Sequence, residues 1–233
     1  DGTLVPFAPT PELATPDDDL MQLLSALAAR PRTMLHLVSG RQHSVLESWL
    51  GLLPVGLHAE HGLWSRQPGG LAWERAGALR PVPYDEVLAL FRQFTELTPG
   101  SQIERKSAGL AWHFRLAPPD VARRSADALF DEARRRFPSD IVDVLRGEKV
   151  IEIRPAGIHK GLIVTRLLAD AAPDTLVLAV GDDATDEDMF AAVPPGGLSV
   201  HVGPRVSSAS LRLADVAACR AFLRGILNHP PSG

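Results

Sequence analysis

Five carboxylates crowd into seven residues of this 233-residue chain: Asp182, Asp183, Asp186, Glu187 and Asp188, in the run Gly181-Asp182-Asp183-Ala184-Thr185-Asp186-Glu187-Asp188. The run directly follows the apolar stretch Leu176 to Val180. A strand that ends in a Gly and then opens a helix sets its acids at the carboxyl end of a sheet, where open α/β folds keep their ligands. Acids in a first helical turn also suit the macrodipole, so an acidic N-cap without chemistry is the plainer alternative. Capping needs one or two acids. Five repel one another unless a cation joins them, and an all-oxygen set suits a hard divalent ion such as Mg²⁺.

Three further pieces could act with that cluster. Lys160, followed by Gly161, falls in the first turn of a helix expected over residues 158–169. A cation there opposes the helix dipole at a cost of about 0.3–1 kcal/mol. A bound phosphate reverses that cost, because a helix N-terminus and a Lys together make an anion site; the alternative is a surface Lys in a frayed turn. Ser39, with Gly40 and Arg41 after it, ends a short apolar run. Its hydroxyl and the adjacent N–H groups could hold a phosphoryl oxygen, or the Ser could simply cap the next helix. The sequence opens Asp1-Gly2-Thr3, and Asp-Gly alone is also a common hairpin turn.

The elements that must position these residues alternate. Leu20 to Ala29 repeats apolar residues at helical spacing behind Asp17-Asp18-Asp19. Strands are predicted at 34–38 and 55–59 with a helix at 45–50 between them, Glu60-His61-Gly62 as a turn, and a hairpin between Leu63 and Gly77. Strand and helix in alternation argue for a parallel, doubly wound sheet. After Arg80-Pro81-Val82-Pro83 the pattern changes to helix (85–97), two strands (101–106 and 110–116), helix (to about Phe137), and a strand pair (141–145 and 149–153) turning at Arg146-Gly147-Glu148. The expected organisation is therefore α/β: a doubly wound parallel, Rossmann-like core of residues 1–80 and 157–233, with an inserted α+β cap at 81–156.

Composition bounds the partners. Apolar residues make up 45% and charged residues 22% of the chain, which is ordinary for a globular protein. The net charge of −4 gives no reason to expect nucleic acid or an anionic membrane. Arg123, Arg124, Arg134, Arg135 and Arg136 sit at the spacing of a solvated helix face. A single cysteine, Cys219, excludes an internal disulfide and fits a reducing, cytoplasmic setting. No apolar run is long enough to span a bilayer. His58 and His61 lack Cys or His partners at zinc-ligand spacing.

Taken in order, Asp1-Gly2-Thr3, Ser39-Gly40-Arg41, Lys160-Gly161 and the acidic run resemble the four motifs of the haloacid dehalogenase (HAD) superfamily of phosphatases. The cap narrows this further. Glu104-Arg105-Lys106, Trp112-His113-Phe114-Arg115 and Glu152-Ile153-Arg154-Pro155, followed by Lys160-Gly161, resemble the trehalose-6-phosphate phosphatases, as does Gly181 to Glu187. The likeness covers nearly the whole chain; His159 stands where that family more often has Asn.

The resemblance implies a Mg²⁺-dependent phosphatase that hydrolyses trehalose 6-phosphate through an aspartyl-phosphate. Its attacking Asp would lie two residues upstream of Asp1, at the end of an apolar strand in the middle of the sheet. It implies Asp1 as acid and base, with Asp182, the Asp1 carbonyl and the upstream Asp as metal ligands. Asp183 and Asp186 would order the metal waters and Lys160. Ser39, Gly40, Arg41 and Lys160 would meet the phosphoryl group, and Glu104, Lys106, Arg115 and Glu152 the sugar. An upstream synthase domain in the same polypeptide is compatible with it. Residue chemistry agrees, since a disaccharide phosphate offers many hydroxyls and one dianion, and Glu-x-Lys on a strand shares one face. The alternative for those two residues is a cross-strand ion pair, and for Trp64, Trp112 and Phe114 packing is expected. Rival functions are a phosphatase for another sugar phosphate, a non-catalytic module fused to a synthase, and a metal-binding protein without turnover.

Overall fold

Asp17 starts the first helix, α1 (Asp18–Ala28): its carboxylate accepts a hydrogen bond from Leu20 N at 2.8 Å, and Asp18 and Asp19 occupy the first turn, where the macrodipole favours them. Leu20, Leu23, Leu24 and Leu27 form its buried face. The computed structural model describes residues 1–228, so the last five residues of the expected core, 229–233, lie outside the described residues. Two compact units result, one of residues 1–76 with those from 159 onward, the other Gly77–Ile158.

In the first unit β1 (His36–Val38) leads through α2 (His43–Leu50) to β2 (Gly56–Ala59), which pairs with β1 in parallel. β3 (Trp64–Arg66) and β4 (Glu74–Arg75) then add to β2 as an antiparallel meander, the hairpin expected between Leu63 and Gly77. Leu20, Leu24, Leu46, Leu50, Val55 and Leu57 fill the core between this sheet and the two helices.

The second unit holds α3 (Tyr84–Leu97), β5 (Gln102–Arg105), β6 (Leu110–His113), α4 (Pro119–Arg136), β7 (Val142–Gly147) and β8 (Val150–Pro155). Its strands form an antiparallel sheet in the order β5-β6-β8-β7. Trp112, Ile151 and Ile153 point to one face and pack on Val87, Phe91, Ala126 and Leu129 of the two helices. Period-two alternation therefore sends Glu104, Ala111, His113 and Glu152 to the other face. Trp112 and Phe114 are packing residues, as expected. Gly147 is in register with Val150, so the tight turn is Glu148-Lys149, with Lys149 at φ 63°. That corrects the expected turn at Arg146-Gly147-Glu148: the strand runs on through Gly147 because the ladder continues. The arginines of α4 are exposed.

The chain then resumes the first unit with α5 (Gly161–Ala169), β9 (Leu178–Gly181), a 3-10 turn (Ala184–Asp186), α6 (Glu187–Ala192), β10 (Leu198–Val202), β11 (Leu211–Leu213) and α7 (Val216–Asn228). β9, β10 and β11 are parallel in the order β11-β10-β9. Helix α5 begins three residues later than expected, so Lys160 is its N-cap and not a first-turn residue. α7 packs Cys219 and Leu223 on Leu23 and Leu27 of α1. Among the described residues β1 and β9 each pair on one side only, while Val38 of β1 packs against the cluster that holds Ala179 of β9.

Candidate active site

Strand β9 ends where Gly181 permits a sharp fold-back: a Cβ on Gly181 would fall 2.3 Å from Asp186 Cγ, far inside contact distance. Asp186 uses the space. Its Oδ2 accepts from the backbone N–H groups of Asp182 (2.8 Å) and Asp183 (2.9 Å), and its Oδ1 accepts from Lys160 Nζ (2.7 Å). Both Asp186 and Lys160 are buried. Burial alone would discharge Lys160, but the Asp186 carboxylate outweighs it and the ammonium is held above its usual pKa. Burial likewise works against the Asp186 charge, and Lys160 with the two backbone N–H groups overcomes it, so its pKa falls. The two shifts agree in describing a charged pair.

Asp182 lies on the other side of that turn. Its Oδ1 accepts from Thr3 Oγ1, and a Cβ at Gly2, where φ is +74°, would meet Asp182 Oδ2 at 1.9 Å. Only glycine lets the Asp1-Gly2-Thr3 backbone come this close. Burial, with a smaller push from the Asp186 charge, raises the Asp182 carboxyl to about 6 against the opposing Thr3 hydrogen bond. Asp183 caps the 3-10 turn through Ala184 N (2.7 Å) and accepts from Arg205 Nη1 (3.2 Å).

At the end of β1, Ser39 N donates to His58 O (2.9 Å), and Ser39 Oγ accepts from Arg41 N (3.2 Å). Two residues in the left-handed region clamp this loop: Glu60 (φ 47°) donates from N to Arg41 O, and His61 (φ 60°) from N to Ser39 O. The His61 ring fills the place of a side chain at Gly40, where a Cβ would meet Nε2 at 2.8 Å. Arg41 lies over the Trp49 ring, 4.5 Å from its centroid, and donates to Asp1 Oδ2 at 2.6 Å. Contacts therefore run from Ser39 through Arg41 to Asp1, and from Thr3 through Asp182 and the Asp186 turn to Lys160. The first unit brings Asp1, Ser39, Gly40, Arg41, Lys160, Asp182, Asp183 and Asp186 into one connected group.

The other expected residues lie in the second unit. Lys106 Nζ donates to Glu152 Oε2 at 2.6 Å, and both side chains are buried. His113 Nε2 is 2.8 Å from Glu104 Oε2. Arg115 donates to the Glu148 carbonyl at 3.3 Å. The cross-strand ion pair weighed as the alternative is thus present, as Lys106–Glu152. Sequence reasoning missed five supporting residues: Thr3, Trp49, His61, His113 and Arg205. Only Thr3 and His113 carried a signal, being inside quoted motifs; the others meet the site through the fold.

Among the described residues no three His, Cys, Asp or Glu side chains converge as metal ligands. Asp182, set against the Asp1-Gly2-Thr3 segment, offers a carboxylate at this point. Oxygen donors of this kind suit a hard cation, and a cation beside Asp182 would stabilise the charged form of a carboxyl that burial raises to about 6. The residues present fit Mg²⁺.

The chain is similar to known proteins. The family profile described as trehalose-phosphatase matches residues 1–216. The bifunctional trehalose-6-phosphate synthase/phosphatase of Thermoproteus tenax is 42% identical over 231 residues, which is 99% of this chain and 31% of that protein. The trehalose-phosphatase of Schizosaccharomyces pombe is 36% identical over 199 residues, 82% of this chain and 24% of its own. The chain thus spans a third or less of these relatives. The C-terminal domain of the Candida albicans trehalose-6-phosphate phosphatase superposes with a TM-score of 0.90 at 33% identity, covering 97% of this chain and 88% of that one. With its motifs gathered as described, the chain belongs to the trehalose-phosphatase family.

Proposed function

We propose that this chain is the phosphatase part of a protein that hydrolyses trehalose 6-phosphate to trehalose and inorganic phosphate. The observation that carries the proposal is the connected group from Ser39 to Lys160, which sets the Arg41 guanidinium, the Asp182 carboxylate and the buried Lys160–Asp186 pair around the Asp1-Gly2-Thr3 segment. The attacking carboxylate is an Asp two residues upstream of Asp1, which takes the phosphoryl group as an aspartyl-phosphate. The one-sided pairing of β1 and β9, with Asp1 and Gly2 touching Arg41 beyond β1 and Asp182 beyond β9, supports a strand running in to that point.

Asp1 protonates the leaving sugar oxygen and then takes a proton from the water that cleaves the intermediate. Arg41 fixes its carboxylate. Lys160 and Ser39, with Gly40 and Arg41 of the same loop, meet the phosphoryl oxygens. Asp186 keeps Lys160 charged and placed. Asp182, the Asp1 carbonyl and the upstream Asp would hold Mg²⁺, which when bound would neutralise charge on the phosphoryl oxygens. In the second unit Glu104, Lys106, Arg115 and Glu152 are assigned to the sugar hydroxyls, with His113 orienting Glu104.

Because the Thermoproteus relative is named as bifunctional and the chain spans 31% of it, we read a synthase domain upstream. Among the described residues no helix is long and apolar enough to cross a membrane, and the free, buried Cys219 suits the cytoplasm. The test is phosphate release from trehalose 6-phosphate by a polypeptide that includes the segment upstream of Asp1. Activity should require Mg²⁺ and vanish in Asp182→Asn; full activity in EDTA would reject the mechanism.

A further inference from the structure

A pocket of about 310 Å³ lies in the first unit, away from the group just described, lined by His36, His58, Ser65, Gln67, Arg166 and Asp170, with Ile163 and Leu167 as apolar wall. His36 opens β1 whereas Ser39 follows its end, a separation of about 10 Å along the strand. Arg166 and Asp170 lie six and ten residues past Lys160 on and just after α5, about 9 Å or more along the helix axis. His36, Arg166 and Asp170 are thus set away from the candidate active site, while His58 lies between, its backbone carbonyl accepting from Ser39 N.

A hydrogen-bonded relay backs it. His36 Nδ1 is 3.0 Å from His58 Nε2, and His58 Nδ1 is 2.9 Å from Ser65 Oγ. Burial keeps both rings neutral, lowering His36 and bringing His58 down to about 3. A neutral pair can carry its protons in either direction. If His36 donates to His58, His36 Nε2 is an acceptor; if His58 donates to His36, Nε2 is a donor. That Nε2 is buried and has no hydrogen-bond partner among the described residues, which leaves one polar atom of the relay unsatisfied. At the rim Arg166 and Asp170 are exposed.

We propose that this pocket binds a neutral, polyhydroxylated small molecule of about monosaccharide size. The rim is charge-balanced, so an anion would face Asp170 and a cation would face Arg166. A hydroxyl suits both, since it donates to a carboxylate and accepts from a guanidinium. The volume is at the lower end for small-molecule pockets, and a ligand of this size and polarity binds with a dissociation constant on the order of 1 mM.

The test follows the His36 and His58 imidazole resonances by NMR while D-glucose is titrated to tens of millimolar. A saturable shift of both rings is expected. It should persist in Lys106→Ala, which separates it from any sugar bound in the second unit. It should weaken about tenfold in Arg166→Ala and in Asp170→Ala, each removing one charged hydrogen-bond partner; both residues are exposed and their loss leaves the core intact. Absence of a saturable shift, or a shift unchanged in both rim variants, would overturn the proposal. So would resonances that respond to acetate or inorganic phosphate and not to glucose, since that pocket would be an anion site.

Discussion

Replacing Asp186 by Ala should be among the most damaging single changes in the first unit. The carboxylate takes one ammonium hydrogen bond and two backbone N–H hydrogen bonds, and the side chains of Lys160 and Asp186 are 10% and 3% exposed. Removing one partner of such a pair strands the other charge, which costs about 3–5 kcal/mol. The N–H groups of Asp182 and Asp183 belong to half-buried residues, so the loss of their acceptor adds less than the stranded charge does. Against a total stability of about 5–15 kcal/mol for a domain, the loss should show clearly in urea unfolding followed by circular dichroism. Asp186→Asn keeps an acceptor but not the charge and should fall between Ala and the parent. Lys160→Met in the Asp186→Ala background removes the stranded ammonium and should recover part of the loss. A loss below about 1 kcal/mol for Asp186→Ala, or no recovery in the double variant, would refute the buried pair as described.

Other outcomes follow from the same physics. The Arg220 hydrogen bonds and the cap to Leu20 N hold Asp17 below its ordinary value near 3.8, so its contribution is present above that pH and is lost as pH falls through the lowered value. Asp17→Ala should therefore lower the melting temperature at neutral pH, with the difference from the parent vanishing well below pH 3.8. Burial pushes the Cys219 thiol up to about 11, and the thiolate is the reactive form. Ellman's reagent at mildly alkaline pH should leave Cys219 unmodified in the folded protein and react with it in urea; rapid reaction without denaturant would contradict its burial in the α1–α7 core. Gly181→Ala should be poorly tolerated because its Cβ would collide with Asp186; an unchanged unfolding midpoint would show that the turn can open without cost.

Much of the fold was legible because its punctuation is local. Asp17 to Asp19 marked α1, and the Gly and Pro residues between Trp64 and Trp73 marked a hairpin that the β3–β4 pairing bears out. The resemblance to trehalose-phosphatases was legible in short, spaced motifs and is borne out by the family match over residues 1–216. What sequence could not give was set by contacts distant in the chain. Helix α5 begins at Gly161, so Lys160 serves as its N-cap with Nζ on Asp186, 26 residues away. Trp49 reads as an ordinary apolar helix residue until Arg41 is found over its ring. His61 in the left-handed region reads as a turn residue until its ring fills the space beside Gly40.

The central claim divides the labour: Lys160 and its partners handle phosphate, and the Glu104, Lys106 and Glu152 group handles sugar. The most direct measurement compares kcat/KM for trehalose 6-phosphate and for p-nitrophenyl phosphate across Lys106→Ala, Glu152→Ala and Lys160→Ala. Buried polar groups left without a hydroxyl partner discriminate by up to roughly 10⁴-fold. Lys106→Ala and Glu152→Ala should lose trehalose 6-phosphate turnover steeply and keep p-nitrophenyl phosphate turnover, which also shows that the variants are folded. Lys160→Ala should lose both. Equal losses on the two substrates for the Lys106 and Glu152 variants would contradict the account.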